Sequence, residues 1–304
     1  MHYYPARVAI DIKQGFATDH LPNYLILNNL EFTGLVFLVS AFAGFLGSLT
    51  GLGGGVVITP ALTLLLGVDL RYAIGASLVS VIATSSGAAS AYVREGFSNI
   101  RIGMFLEIAT TIGALVGAYL TTRMHASTLG VIFGFVLLYS AYLSRRPEPA
   151  PHPDLNPDPL AVRLRLSGAY PTMGGMQSYV AQRVEAGFAL MFGAGTLSGL
   201  LGIGSGAVKV IAMDQAMRIP FKVSTATSNF MIGVTAAASA GVYLKRGYID
   251  PGLSMPVMLG VVAGSFLGAR KLAAAGTQFL RNLFAVVVAV LAVEMIYSGL
   301  TGKF

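Results

Sequence analysis

Long apolar blocks dominate the pattern of hydrophobic and polar positions along this chain. The blocks are continuous rather than alternating, and most reach or approach the roughly 20 apolar residues that a helix needs to cross a bilayer. They occupy residues 32–48, 73–93, 102–122, 127–143, 186–201, 224–244, 252–269 and 279–299. The pattern predicts an all-α integral membrane protein, a polytopic bundle that crosses the bilayer many times.

The same pattern occurs twice. The stretch SLTGLGGGVV at 48–57 returns as LLGIGSGAV at 200–208, and YVREGF at 92–97 returns as YLKRGY at 243–248. Gly51 aligns with Gly202 and Tyr92 with Tyr243, each pair at a spacing of 151 residues. Self-similarity at a fixed spacing is the signature of a duplicated architecture. The chain therefore consists of two homologous halves.

Between the halves lies RRPEPAPHPDLNPDPL, residues 145–160, which is rich in proline and charge and cannot form a membrane helix. After it we expect loop with a short surface helix. The side of the membrane with more Lys and Arg is the side of this linker, which predicts that the linker is cytoplasmic. The predicted organisation is an N-terminal arm at 1–30, a first membrane repeat at 31–144, the linker at 145–183 and a second membrane repeat at 184–304.

A cluster of glycines separates a longer apolar block from a shorter one in each half. Glycine is poor in helix interiors, so the cluster should stop the helix and leave backbone N–H and C=O groups free. In lipid such groups are tolerated only where protein or a water-filled cavity surrounds them. We therefore expect a glycine-broken helix pair at the midplane of each half. The residues concerned are Gly51, Gly53, Gly54 and Gly55 in the first half, and Gly202, Gly204, Ser205 and Gly206 in the second.

The second helix of each broken pair presents its N-terminus at the break. Unpaired N–H groups and the positive end of the helix dipole favour an anion there. Interrupted segments at corresponding positions of two halves indicate a transporter's central site. If each pair is a hairpin, the halves form an inverted repeat; if each pair is one crossing, they are parallel. We prefer hairpins, because the two blocks together exceed one bilayer crossing.

Hydroxyl and amide side chains lie in otherwise apolar helices at matching positions of the two halves. Ser77, Thr227, Ser228 and Asn229 are candidates to complete the hydrogen-bond shell of an oxyanion, although such residues also serve in helix packing. Lys209, three residues after Gly206, should face a cavity or an anionic partner rather than lipid, unless it snorkels.

Two carboxylates fall within apolar blocks. Glu107 and Glu294 both look buried, and we select Glu107 as the candidate for a coupling proton. Glu294 ranks lower because it lies near the end of its helix. The two do not match each other across the repeat.

Charge and composition narrow the function. The net charge of +7 comes from Lys and Arg at block ends and in short loops, which fits membrane orientation and not nucleic-acid binding. The chain contains no cysteine, which excludes thiol chemistry and Cys-ligated metal. GLGGGV lacks the last glycine of a dinucleotide motif, H-E-x-x-H is missing, and Ser205 has no apparent base. We predict no catalytic residues, no metal, no cofactor and no ATP drive.

The motifs carry a resemblance. GLGGGVVITPAL followed by IGASLVSVIATSSGAASAY, and GIGSGAVKVIAM followed by PFKVSTATSNFMIGVTAA, resemble the sulfite exporter TauE/SafE family of membrane permeases over about residues 34–299. The resemblance implies secondary transport of a small sulfur-containing anion such as sulfite, thiosulfate or an organosulfonate. Ser205 and Ile211 stand where such proteins commonly repeat a glycine and a proline, so the two half-sites are not equivalent.

Together these features predict a multi-pass permease of the cell membrane, the inner membrane in a bacterium. It would move its anion by alternating access, with protons as the candidate coupling ion. The lipid bilayer is its other partner, and a homodimer is not excluded. The alternatives are an anion channel, which would be expected to carry charge rings or a repeated filter, and, further off, an intramembrane enzyme.

Overall fold

The arrangement of these segments is taken from a computed structural model of the chain. The predicted N-terminal arm up to residue 28 lies outside the described residues, and so do Gly51, Gly53 and Gly54. The structure describes residues 29–50, 55–94, 97–144, 158–172, 175–272 and 277–302.

Among the described residues, each half contains five α-helices in the same order. In the second half the short helix after the glycine cluster continues into a π-helical turn, Ala212–Ala216. In the first half the helices are α1 Asn29–Thr50, α2 Gly55–Leu66, α3 Leu70–Arg94, α4 Ile100–Thr121 and α5 Ala126–Ser144. In the second half they are α7 Val184–Leu201, α8 Gly206–Ile211, α9 Phe221–Lys245, α10 Pro251–Leu272 and α11 Thr277–Leu300.

The π-helical turn follows α8 directly, so that the chain stays helical from Gly206 to Ala216. Helices α8 and α2 are the short members of the two broken pairs, and α7 and α1 are the long ones. The broken pair that the sequence predicts in the second half is therefore present, with α7 ending at Leu201 and α8 starting at Gly206.

The linker contains more regular structure than the sequence predicts. The expected short helix is α6, Pro159–Arg163, but the expected loop after it is a two-stranded antiparallel hairpin of β1, Ser167–Thr172, and β2, Gly175–Val180. The sequence prediction of loop was wrong there, because the strands are short and lack a clear apolar alternation.

Asp158 ties the linker to the second repeat. One carboxylate oxygen accepts a hydrogen bond from Leu160 N at 2.8 Å and caps α6, and the other accepts one from Val184 N at 3.0 Å at the start of α7. These bonds, that from Val184 first, hold the pKa of Asp158 below its usual value because they stabilise the ionised form.

Glycines bring helices of different halves into backbone contact. Gly113 on α4 meets the backbone of Phe192 on α7, and Gly195 and Gly199 on α7 meet the backbone of Thr110 and Ala114 on α4. Small residues four apart allow this close approach in membrane helices. Helix α4 of the first half therefore packs tightly on α7 of the second.

The equivalent contact joins α1 to α10. Gly44 on α1 meets the backbone of Val261, and Gly260 and Gly264 on α10 meet the backbone of Phe37 and Ala41. Helix α1 corresponds to α7, and α10 corresponds to α4. The same pair of equivalent helices therefore packs together twice, each time with one helix from each half. The two halves are thus intertwined rather than laid side by side.

Corresponding helices run antiparallel where they meet. Gly75 near the start of α3 contacts Tyr248, just after the end of α9, while Ser85 further along α3 contacts Gly233, nearer the middle of α9. Helices α5 and α11 also contact each other, with Gly134 against Ala292. Equivalent helices that run antiparallel are the geometry that an inverted repeat requires.

The outer surface of the bundle is apolar. Helix α4 exposes Met104, Ile108 and Ile112, each with about half or more of its surface accessible. Contiguous apolar surface of this kind is what lipid solvates. Among the described helices, α4 with 22 residues and α7 with 18 residues have the length and hydropathy of complete spans. Shorter apolar stretches of 10–17 residues are Leu30–Leu46, Gly55–Leu66, Ala126–Tyr142, Pro251–Leu267 and Ala285–Leu300.

Candidate functional site between the repeats

The second glycine cluster forms a short connection between α7 and α8. Gly202, Gly204 and Ser205 all have positive φ, at 68°, 71° and 46°. Glycine adopts this conformation without steric cost, whereas Ser205 is strained in it by about 1 kcal/mol or more. In the matching cluster of the first half, Gly55 is the residue that the structure describes, and it is the first residue of α2. After this connection Gly206 is the first residue of α8.

Two serines at corresponding positions hold the starts of the two short helices. Ser77 Oγ on α3 lies 3.3 Å from Gly55 O, and Ser228 Oγ on α9 lies 3.3 Å from Gly206 O. Ser77 Oγ also lies 2.9 Å from Gly202 O, so its single hydroxyl hydrogen is shared between the two glycine clusters. The structure therefore brings these two predicted residues to the glycines, where they donate to backbone carbonyls.

The other two predicted polar residues bond elsewhere in the scaffold. Thr227 Oγ1 accepts a hydrogen bond from Asn99 N at 3.0 Å, in the connection before α4. Asn229 is half-buried, and its Nδ2 donates to Thr225 O at 3.1 Å, one turn earlier on α9. In this conformation neither side chain reaches the glycine clusters through a hydrogen bond that the structure describes.

Lys209 is completely buried, with 0% of its surface exposed. Its Nζ donates to Thr235 Oγ1 on α9 at 2.5 Å. A lysine that snorkels would place its ammonium at the membrane surface, so the snorkelling alternative does not describe this side chain. A buried ammonium requires compensation by an opposite charge or by hydrogen bonds.

That compensation comes from Glu107 through one hydroxyl. Thr235 Oγ1 lies 2.6 Å from Glu107 Oε1, so a single oxygen atom separates the ammonium group from the carboxylate. Thr111 Oγ1 donates to the same carboxylate oxygen at 3.1 Å. The other oxygen, Oε2, is buried and has no hydrogen-bond partner among the described residues. Lys209, Thr235 and Glu107 form what we call the buried triad.

The triad combines two residues that the sequence singled out separately with one that it missed. Thr235 lies seven residues after Ser228, and therefore on the same face of α9. Extending the polar face of that helix by two turns would have found it. The expectation that Glu294 is buried was wrong, because its side chain is exposed and accepts a hydrogen bond from Ser298.

A family model matches residues 36–295, which includes both halves, and its description is Sulfite exporter TauE/SafE. The chain belongs to this family. It is similar to the probable membrane transporter protein YunE of Bacillus subtilis, with 27% identity over 88% of this chain and 98% of the relative. It is also similar to the probable membrane transporter protein MJ0441 of Methanocaldococcus jannaschii, with 23% identity over 86% of this chain and 94% of the relative. No solved structure matches the chain significantly.

Membership confirms the predicted class of protein. This TauE/SafE protein is a polytopic, all-α membrane transporter, located in the cell membrane as a multi-pass protein. The bilayer and a small substrate are accordingly its partners. The exposed apolar surfaces of α4 and the other helices are thus lipid-facing surfaces.

The described members of the predicted substrate set in the TauE/SafE protein are buried in this conformation, apart from the half-buried Asn229. A surface pocket of about 590 Å³ is present near the start of α4, but it is lined by Asn99, Ile100, Arg101, Met104 and Ser167, none of which was a predicted substrate residue. The buried members of the predicted set are Gly55, Ser77, Gly202, Gly204, Ser205, Gly206, Lys209, Thr227 and Ser228.

Proposed function

We propose that this TauE/SafE protein is a secondary transporter that moves a small sulfur-containing anion, such as sulfite, thiosulfate or an organosulfonate, across the cytoplasmic membrane by alternating access. The observation that carries the proposal is the fully buried ammonium group of Lys209 on the short helix that begins at the second glycine cluster. A cation at such a position marks a substrate or ion pathway in membrane proteins, and an anion is its natural ligand.

Neutral donors beside Lys209 support the same ligand. Ser205 directly precedes α8, and its backbone carbonyl accepts a hydrogen bond from Lys209 N at 3.0 Å. Ser205 Oγ is buried and has no hydrogen-bond partner among the described residues. An unpaired buried hydroxyl is costly, and an oxyanion would accept its hydrogen bond. One cation with neutral donors would bind a small anion without holding it permanently.

Alternating access is supported by the architecture. The described residues of the predicted site are buried apart from Asn229, and Ser77 of the first half donates to Gly202 O of the second. The antiparallel pairing of α3 with α9 favours an inverted repeat, in which rocking of one set of helices against the other would open the site to each side in turn. We further propose that the linker is cytoplasmic and that one chain holds a complete site, so that a homodimer is not required for binding.

Anion-dependent thermal stabilisation tests the proposal. Detergent-purified protein is melted with sulfite, thiosulfate, methanesulfonate, acetate or phosphate, and the same series is run on Lys209→Ala. An anion at about 100 times its Kd stabilises the native state by about 2.7 kcal/mol. We expect a sulfur oxyanion to raise the melting temperature of the wild type, and the effect to be lost in Lys209→Ala.

The matched control is Lys222→Ala, which removes an exposed cation from the first turn of α9. It should keep the full response to the anion. If no sulfur anion stabilises the wild type, or if Lys209→Ala responds as the wild type does, the proposed anion site is wrong.

A further inference from the structure

We propose that the buried triad couples anion binding to a proton, so that one monoanion binds beside Lys209 together with one proton on Glu107. The inference rests on the proposed anion transport and names its coupling ion and stoichiometry. It is drawn from the hydrogen-bond geometry of Thr235 and from the balance of charge in a closed site.

Thr235 has more partners than one hydroxyl hydrogen can serve. Its Oγ1 receives a hydrogen bond from Lys209 and lies within hydrogen-bond distance of two acceptors, Glu107 Oε1 at 2.6 Å and Met231 O at 2.9 Å. A threonine hydroxyl carries one hydrogen and two lone pairs. The hydrogen therefore points either to the carboxylate or to the backbone carbonyl, and the oxygen positions suit both orientations.

The two orientations correspond to two protonation states of Glu107. With Glu107 ionised, Thr235 donates to Oε1. With a proton on Oε1, the carboxyl group donates to Thr235, and the hydroxyl hydrogen turns to Met231 O. The proton comes from hydronium or a buffer acid in solution, whose bond to the proton breaks as the O–H bond on Oε1 forms. Both states keep Thr235 fully hydrogen-bonded without displacing a heavy atom.

Charge balance links these states to the anion. Without a ligand, the ammonium of Lys209 and the carboxylate of Glu107 neutralise each other across Thr235. A monoanion that binds Lys209 while Glu107 is ionised would leave one net negative charge in a closed, low-dielectric site, which is strongly unfavourable. A proton on Glu107 restores neutrality. The anion and the proton therefore favour each other's binding, and such coupling is reciprocal.

The carboxyl group of Glu107 is hydrogen-bonded at one oxygen and not at the other among the described residues. Its Oε2 is buried with no hydrogen-bond partner among the described residues. An ionised carboxylate needs donors on both oxygens, and the uncharged acid needs fewer. The unsatisfied oxygen therefore makes the ionised form dependent on Lys209, the cation that an incoming anion would engage.

The other titratable groups on the elements around α4 are more distant along their helices. Glu185 is at the start of α7, about two turns before Phe192, and the groups on α9 are eight or more residues from Thr235, or about 12 Å along a helix. Lys209 is thus the charged group that meets Glu107 through one hydroxyl among the described residues. Titratable groups on α4 and on the elements around it include Arg101, Tyr170, Tyr179, Glu185, Asp214, Lys222, Tyr243 and Lys245.

The test measures anion affinity against pH with a probe of constant charge. Methanesulfonate stays a monoanion across neutral pH, and its Kd is measured on the detergent-purified, full-length protein. While Glu107 is ionised in the free protein, we expect the Kd to fall about tenfold for each unit that the pH is lowered, because one proton binds with each anion. A pH indicator in weak buffer should report about one proton taken up for each methanesulfonate bound.

Variants separate coupling from binding. Glu107→Gln imitates the protonated acid, so its Kd should be independent of pH and should match the low-pH value of the wild type. Thr235→Ser keeps the hydroxyl and should keep the pH slope, whereas Thr235→Val should reduce it. Glu294→Gln, which removes an exposed carboxylate, is the matched control and should behave as the wild type.

The outcomes distinguish two failures. If methanesulfonate, sulfite and thiosulfate all fail to bind the wild type at any pH, the proposed transport function is wrong. The proposed coupling to a proton is then wrong as well. If an anion binds but the wild type shows a flat pH profile and no proton uptake, the coupling alone is overturned. The proton-uptake measurement uses wild-type protein, so it decides the matter even if Glu107→Gln does not fold.

Discussion

Replacing Gly195 by alanine should weaken the junction between α4 and α7. A Cβ atom on Gly195 would overlap the carbonyl oxygen of Thr110 and would lie 2.7 Å from Thr110 Cα. Backbone atoms of a helix cannot rotate aside, so the two helices would have to separate. Overpacking of this kind costs about 1–3 kcal/mol.

Gly193 supplies the matched control on the same helix. A Cβ atom there would meet nothing within 4 Å, so Gly193→Ala changes only the helix propensity, which favours alanine by about 1 kcal/mol. Since Gly195→Ala gains the same propensity, the difference between the two variants isolates the steric cost. We expect Gly195→Ala to be less stable than Gly193→Ala by about 1–3 kcal/mol.

The assay is the apparent melting temperature of detergent-purified protein, followed by circular dichroism. A change of 1 kcal/mol shifts the melting temperature by about 2–4 °C in chains of roughly this size. Gly193→Ala should melt at or above the wild-type temperature, and Gly195→Ala several degrees below Gly193→Ala. Equal melting of the two variants would refute the backbone contact between α4 and α7.

Three further predictions concern other parts of the molecule. Tyr243→Phe removes the hydroxyl that donates to Gly199 O at 3.0 Å and should lower stability by about 1–2 kcal/mol in the same melting assay, whereas Tyr139→Phe, at an exposed site, should not. Asp158→Ala should lower the free energy of unfolding by about 1 kcal/mol and should speed hydrogen exchange of the Val184 amide. Because folding lowers the pKa of Asp158, its stabilisation should be present above pH 3.8 and should be lost as the pH falls through the folded-state pKa. The chain has no cysteine, so single cysteines report the side of the membrane on which they lie. Ser178→Cys in the exposed hairpin should react with a membrane-impermeant thiol reagent only from the cytoplasm, and Thr301→Cys only from outside. Labelling of both from one side would exclude the inverted repeat with a cytoplasmic linker.

The sequence by itself determined the class of protein, its duplication and its family. The bilayer makes these features readable, because a spanning helix must be apolar over a fixed length and a break in it must be marked by residues such as Gly202 and Gly204. These constraints act on neighbours along the chain. The spacing of 151 residues aligns Ser77 with Ser228. In the structure each donates a hydrogen bond to the first residue of a short helix.

Only the tertiary structure decided which buried polar groups meet. Glu107, Lys209 and Thr235 lie on α4, α8 and α9, which come from both halves, and no spacing along the chain links the three. Their meeting depends on how α4 and α8 each pack against α9, which no local pattern along the chain specifies. The linker hairpin could not be predicted from the sequence either, since its two strands are defined by their pairing with each other. The sequence places charges in an apolar segment, but only packing shows how each charge is neutralised.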